Sequence, residues 1–137
     1  MSFSGSLTDR LNVREFYGHF SYASSLALTD EWLSCWSDQC QWRTTFFSLE
    51  GKQQLQEQWH ALWQNFDKVA LLCEIGSIRI ENDRAYVTSI AREVIRLKTG
   101  EVQKLAGSYS DTLERHGDSW RFLQRDYELL ISEPDTQ

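Results

Sequence analysis

Proline is almost missing from this chain: its single copy, Pro134, lies near the C-terminal end. No earlier residue therefore removes a backbone donor from the middle of a strand or helix. Clusters of basic residues are missing too, and the net charge is −6 with a pI near 5.0. A nucleic-acid partner, which needs a basic face against its phosphates, is disfavoured. No apolar run approaches the ~20 residues of a membrane span, and the opening MSFSGSLTDR lacks the basic-then-apolar layout of a signal peptide. The expectations are no membrane partner and a cytoplasmic location. Cysteine is limited to Cys35, Cys40 and Cys73. An odd number in apolar surroundings, without an export signal, points to reduced buried thiols. Cys35 and Cys40 have no second close pair downstream, as a structural metal would need, and His19, His60 and His116 form no HxH or HExxH pattern. A glycine-rich phosphate loop is also lacking, so neither metal nor nucleotide cofactor is expected.

Aromatic residues, by contrast, are plentiful: six Trp, five Tyr and seven Phe in 137 residues. A chain of this length forms one domain, 1–137, with a core of about 8–131. A first helix is expected from a Ser6 or Thr8 cap, with Asp9 in its first turn and a stripe of Val13, Phe16, Tyr17, Phe20, Ser24 and Ala27. Asp30 is expected to cap a short second helix, Glu31 to about Trp36, and Cys40 to Phe47 reads as a strand. Ser48 to Gly51 then opens a third helix striped by Leu55, Trp59, Leu62, Trp63 and Phe66. The remainder is strand: Val69 to Glu81, a turn at Asn82-Asp83, Arg84 to Leu97, a turn at Lys98 to Glu101, then two strands joined at His116 to Ser119. Residues after Ser132 read as a loose tail. Helices first and long antiparallel strands after them indicate an α+β fold, a curved antiparallel sheet wrapped round three helices. Such a cone has an apolar interior suited to a small molecule.

Alternation places Leu105, Gly107, Tyr109, Asp111 and Leu113 on one face. On the return strand it separates Trp120, Phe122 and Gln124 from Leu123, Arg125 and Tyr127. The strand from Arg84 shows Ala85, Val87, Ser89, Ala91, Glu93 and Ile95 on one side, and Tyr86, Thr88, Ile90, Arg92, Val94 and Arg96 on the other. Glu93, Asp111 and Tyr109 form the candidate catalytic set, since neighbouring carboxylates in an apolar cavity drive one pKa upward. Tyr17, Trp36, Trp59, Trp63, Cys73 and Ser89 are candidate ligand-binding residues. Structural alternatives stand beside these readings: Asp111 pairing with Arg125, Glu93 pairing with Arg92 or Arg115, Tyr17 as core, and Cys73 as a buried thiol. A bulge would exchange Asp111 for Ser110 and Glu93 for Arg92.

With Asp30-Glu31-Trp32, Leu49-Glu50-Gly51, Gly107-x-Tyr109-x-Asp111, Trp120-Arg121-Phe122 and Arg125, the chain resembles the nuclear transport factor 2-like superfamily in its SnoaL-like branch. The resemblance runs over roughly residues 8–131 and implies a cystatin-like cone. Within that superfamily it resembles the scytalone dehydratase and hexachlorocyclohexane dehydrochlorinase families, and the small subunits of aromatic-ring-hydroxylating dioxygenases. Those lyases use a His–Asp dyad, whose positions fall here on Cys73 and on Leu28 or its neighbour Thr29. The dyad is absent. The expectation is a SnoaL-like protein that binds an apolar or aromatic small molecule. If an enzyme, it is a cofactor-free lyase or isomerase using carboxylate acid/base chemistry. The alternative is a non-catalytic accessory or ligand-binding subunit. The Tyr86–Arg96 face suits self-association, most simply as a homodimer.

Overall fold

The computed structural model describes residues 2–134. Helix α1 (Leu7–Ser25) is capped by Ser6, whose Oγ accepts from the Asp9 N–H at 3.0 Å, so Ser6 and not Thr8 starts it. Its buried stripe is Val13, Phe16, Tyr17, Phe20, Ala23 and Ser24. The expected last member, Ala27, lies beyond the helix with φ +56°, where the chain turns sharply. Helix α2 (Thr29–Ser34) follows, and Leu28 is its N-cap with no side-chain cap bond. Asp30 is thus a first-turn residue and not the cap: its charge meets the helix dipole without closing a backbone donor.

Trp36 was expected on that helix one turn from Trp32, yet it starts strand β1 (Trp36–Arg43). The reason is tertiary. Trp36 pairs with Phe122 in a parallel register, and the Phe122 N–H donates to the Cys35 carbonyl at 2.7 Å. The expected Cys40–Phe47 strand is therefore shifted, and its end is a turn. Thr44 Oγ1 accepts from the N–H groups of Phe46 and Phe47 at 2.9 and 3.0 Å, which reverses the chain into β2 (Ser48–Glu50). Helix α3 (Gly51–Asn65) buries Leu55 and Trp59 and half-buries Leu62 and Trp63. Phe66, expected on its stripe, opens β3 (Phe66–Glu81).

The meander β3, β4 (Arg84–Leu97), β5 (Val102–His116) and β6 (Ser119–Pro134) closes through two-residue turns at Asn82-Asp83 and Gly117-Asp118. Asn82 and Gly117 take positive φ there, +54° and +59°, as tight hairpins require. The sheet order is β2-β1-β6-β5-β4-β3. Its pairs are antiparallel except β1 with β6, which is parallel. Strand β6 extends through Glu133 and Pro134, the start of the stretch that read as tail. Residues 135–137 of that expected tail lie outside the described residues.

Four extra residues bend the sheet: Asp67 and Gly76 on β3, Leu123 and Leu130 on β6. Each stands unopposed in its ladder and reverses side-chain parity beyond it. Leu123 is the consequential one. Thr112 pairs with Gln124 while Leu113 pairs with Phe122, so Trp120, Phe122 and Arg125 are all buried on the concave side. The alternation that separated Phe122 from Arg125 is overturned by this bulge. The edge strand β3 is covered where it is most apolar. The Ser4 N–H donates to the Ile78 carbonyl and the Ile78 N–H to the Ser2 carbonyl, at 2.8 and 3.1 Å. Ser25 Oγ accepts from the Leu71 N–H at 2.9 Å. Occupied donors and acceptors leave less edge for a stray strand.

Gly107 has a packing purpose. A Cβ there would run into the ring of Tyr127, which lies across the glycine and meets Tyr109 with centroids 4.8 Å apart. Gly107→Ala is expected to cost about 1–3 kcal/mol, the range for overpacking a filled site. Urea denaturation of Gly107→Ala, Tyr127→Leu and the double variant checks this, because removing the ring should abolish most of the alanine's penalty. Additive losses would show that the ring is not what the glycine accommodates.

Candidate active site

Two polar centres occupy the concave face, and they differ in how completely they are satisfied. The deeper one joins α1, β5 and β6. The Tyr17 hydroxyl donates to Asp111 Oδ2 at 2.5 Å. Arg125 donates from Nε to Oδ1 at 2.9 Å and from Nη2 to Oδ2 at 3.0 Å, a two-pronged match of guanidinium to carboxylate. Asp111 and Arg125 are 3% and 2% exposed. The guanidinium carbon also sits 3.7 Å from the centroid of Tyr109 and 4.1 Å from that of Phe122. Burial pushes the Asp111 carboxyl up, against the pull of Arg125 and of the two donors. Burial pulls the Arg125 pKa down, and the Asp111 carboxylate outweighs that and lifts it above the ordinary value. Tyr17 stays protonated, raised by burial and then by Asp111. Every oxygen of Asp111 thus has a donor, and the pairing with Arg125 that stood as its structural alternative is present in the geometry.

The second centre is Glu93 on β4. It is half-buried, and among the described residues no donor or cation lies within hydrogen-bonding or ion-pairing distance of it. Neither Arg92 nor Arg115 serves as its partner: Arg115 reaches Asp9 and Asp83, and Arg92 is exposed on the other face. Burial raises the Glu93 pKa, and the charge of Arg125 opposes this. Burial, and next the charge of Glu93, pushes the Tyr127 phenol up to about 12. Burial raises Tyr109 also.

Glu93 and Tyr109 line a cavity of about 70 Å³. Its walls come from Phe20 and Ser24 of α1, Trp32 of α2 and Trp42 of β1. They are completed by Trp59, Leu62 and Trp63 of α3 and by Phe66, Val69 and Leu71 of β3. Trp32 stacks on Trp59 at 4.3 Å, and Trp59 is fixed by its Nε1–H, which donates to Thr29 Oγ1 at 2.9 Å. Of the residues singled out from sequence, the structure brings Glu93, Tyr109, Trp59 and Trp63 to this cavity. Tyr17, Trp36, Cys73, Ser89 and Asp111 are not among its lining residues. Trp36 is fully buried between Phe20, Trp32 and Phe122, because its place on β1 turns it into the core. Burial raises the Cys73 thiol pKa, which makes it a weak nucleophile. Ser24, Trp32, Trp42 and Phe20 were not singled out as lining. Ser24 and Phe20 did stand on the helical stripe, one turn apart, but Trp42 needs the parallel β1–β6 pairing to arrive there.

The folded-state rise of the Glu93 pKa has a sign that can be measured. A carboxyl that binds its proton more tightly in the folded state stabilises the protein fully below its unfolded value, near 4.5, and that stability drains away as pH rises through the folded pKa. The groups facing Glu93 are Arg125, Tyr109 and Tyr127, none of which titrates between pH 4 and 8. Glu93→Gln should therefore match the wild type near pH 4 and exceed it at pH 8. Each tenfold gain in proton affinity on folding is worth about 1.4 kcal/mol of that difference. Urea melts across the range provide the check, and a difference that does not change with pH would place Glu93 in water.

Comparisons with known proteins agree with this architecture. Similar in structure is a candidate scytalone dehydratase from Novosphingobium aromaticivorans, with a TM-score of 0.87 at 16% identity over 96% of this chain and 90% of the other. A type 3 hexachlorocyclohexane dehydrochlorinase from Novosphingobium barchaimii superposes with a TM-score of 0.80 at 14% identity, covering 96% and 95%. A protein of unknown function with a cystatin-like fold from Nostoc punctiforme gives 0.77 at 16% identity, covering 95% and 96%. At such identities the likeness carries the fold alone. No curated protein matches the sequence. The SnoaL-like domain model matches residues 5–126, and the chain accordingly belongs to the SnoaL-like domain family, on a nuclear transport factor 2-like, cystatin-like α+β fold.

Proposed function

We propose that the indole-walled cavity binds an apolar or aromatic small molecule and that Glu93 is its acid/base group, in a cofactor-free lyase or isomerase. One observation carries this reading: Glu93 is a carboxyl without a partner among the described residues, facing an apolar space, with a raised pKa. A carboxyl so placed binds its proton more tightly than one in water and can pass it to or take it from a bound molecule. Tyr109 stands beside it in the lining as a neutral hydroxyl. Asp111, with Tyr17 and Arg125, then serves as the support that holds Tyr109 in place and not as a second acid. The three free thiols, two of them buried, suit a reducing cytoplasmic setting.

A thermal-shift screen of wild type and Glu93→Gln against small phenols, indole and cyclic ketones tests the proposal. A ligand at ~100 times its dissociation constant adds about 2.7 kcal/mol of stability. Stabilisation of the wild type, altered in Glu93→Gln, places the ligand beside Glu93 and selects the compounds to assay for elimination and isomerisation. No stabilisation by any of them counts against a ligand site here.

A second reading rests on Cys73 and Leu28. Cys73 is a half-buried thiol and Leu28 packs against the core, so these two positions supply no imidazole and no carboxylate. That favours a non-catalytic accessory or ligand-binding subunit, which would co-purify with a larger catalytic partner. Self-association belongs to the same set of proposals. On the outer face Leu72, Arg92, Ala106 and Ile131 form one cross-strand row, and Ile90 lies in the next. Leu72, Ile90 and Ile131 are exposed there. A monomeric mass by sedimentation at micromolar concentration would remove it.

A further inference from the structure

We infer that the cavity is built for a compact organic ammonium ion, held by the Glu93 carboxylate and the faces of the surrounding indoles. This rests on the reading of the cavity as a ligand site with Glu93 in it, and specifies an apolar guest that carries a positive charge. Four of its walls are tryptophans, Trp32, Trp42, Trp59 and Trp63, and an indole face presents negative charge to a cation more strongly than any other side-chain ring. Among the lining residues the acidic group is Glu93 and no Lys, Arg or His is present. The nearby cation, Arg125, has its charge met by both oxygens of Asp111. The deep pair is therefore neutral as a unit, and ionised Glu93 leaves the interior one negative charge in excess.

A neutral guest would leave that carboxylate buried without a partner, or protonated, and an anion would meet it as a like charge. An ammonium ion removes the conflict, and the rings replace its hydration shell. Size points the same way. A space of about 70 Å³ is several times smaller than the ~300 Å³ at which drug-sized pockets begin. A polar arm on the guest would find a partner. Ser24 Oγ is buried on the same wall with no hydrogen-bond partner among the described residues, although buried hydroxyls ordinarily have one. Binding also changes the role of Glu93, because a cation beside it expels its proton and leaves a base.

Choline and its uncharged carbon isostere, 3,3-dimethylbutan-1-ol, are the probes, since they share a shape and a hydroxyl arm and differ in charge. Binding is read by tryptophan fluorescence at pH 7.5 on wild type, Glu93→Gln and Ser24→Ala. Choline is expected to bind wild type at least ~10-fold more tightly than the isostere, and Glu93→Gln to weaken choline about 30-fold without weakening the isostere. Ser24→Ala should weaken both probes alike. Below the Glu93 pKa, choline affinity should fall about tenfold per pH unit, with a proton released on binding. Equal affinity for the two probes, or choline binding that Glu93→Gln leaves intact, overturns the ammonium inference and leaves the ligand site standing. Failure of both probes while a phenol or indole still stabilises the protein has the same meaning. Failure of every compound overturns both readings. Thermal melts of the variants show whether each is folded, and Glu93→Asp, which keeps the charge on a shorter arm, should retain part of the preference.

Discussion

Replacing Asp111 by Asn should lower the unfolding free energy by about 3–5 kcal/mol, the cost of stripping one partner from a buried ion pair. The amide keeps the shape of the carboxylate. It cannot, however, accept from Nε and Nη2 of Arg125 and from the Tyr17 hydroxyl while neutralising the guanidinium. Arg125 would be left charged at 2% exposure, with aromatic faces as its remaining counterweight. The double variant Asp111→Asn, Arg125→Met should recover much of the loss, since the guanidinium stranded by the single variant is gone. Tyr17→Phe should cost less, about 1.5–3 kcal/mol, because it deletes one bond to a charged acceptor and leaves the pair intact. Equilibrium denaturation of the four proteins measures the set. A cost below ~1 kcal/mol for Asp111→Asn would mean that water reaches the pair.

Trp32→Ala should be comparably damaging, at about 3–5 kcal/mol. The ring is 2% exposed. It stacks on Trp59 and lies within 5.6 to 6.4 Å of the ring centres of Trp36, Trp42 and Phe20. Helix α2, only six residues long, is too short to stand without tertiary packing, and Trp32 is its buried residue. Deleting the indole merges its volume with the adjoining cavity. The variant should therefore be stabilised by free indole far more than the wild type is, because a void lined by rings accepts a flat apolar guest. Guanidinium melts with and without indole report both effects. A loss under ~1.5 kcal/mol, or no gain from indole, would mean that the space closes by collapse.

The residues show where sequence reading succeeds and where it stops. Glu93, Tyr109, Trp59 and Trp63 were legible because each lies on an unbroken repeat, helical for the tryptophans and strictly alternating along β4 and the middle of β5. Tyr109 sits opposite Ser89 and Asp111 opposite Val87, as simple parity requires. Arg125 was misassigned because Leu123 adds one residue to β6, and a bulge has no local signature in the LQR stretch it occupies. Trp36 was misplaced, and Trp42 missed, for a different reason. Their place follows from the parallel pairing of β1 with β6, a contact between segments about eighty residues apart, and propensity at Trp36 carries no trace of it. Asp30 is the case in which a correct general rule met a competing local event: the chain turns through Ala27 at positive φ, and the helix starts two residues early. The partnering of Asp111 stood as one of two readings and needed coordinates to resolve.

The parallel contact between β1 and β6 also bears on how the chain is made. Strand β1 pairs with β2 beside it in sequence, but its other edge, where Trp36 meets Phe122, has no partner until β6, Ser119–Pro134, has been synthesised. During synthesis, then, the tryptophan cluster stays open on its β1 side while every strand up to His116 has already been made. The meander β3–β5 can zip locally in that interval, because its turns are short and its pairs are close in sequence. The joining of β1 to the meander waits for β6, and a chain stalled in the β5–β6 turn would display its indoles to the cell's chaperones and proteases.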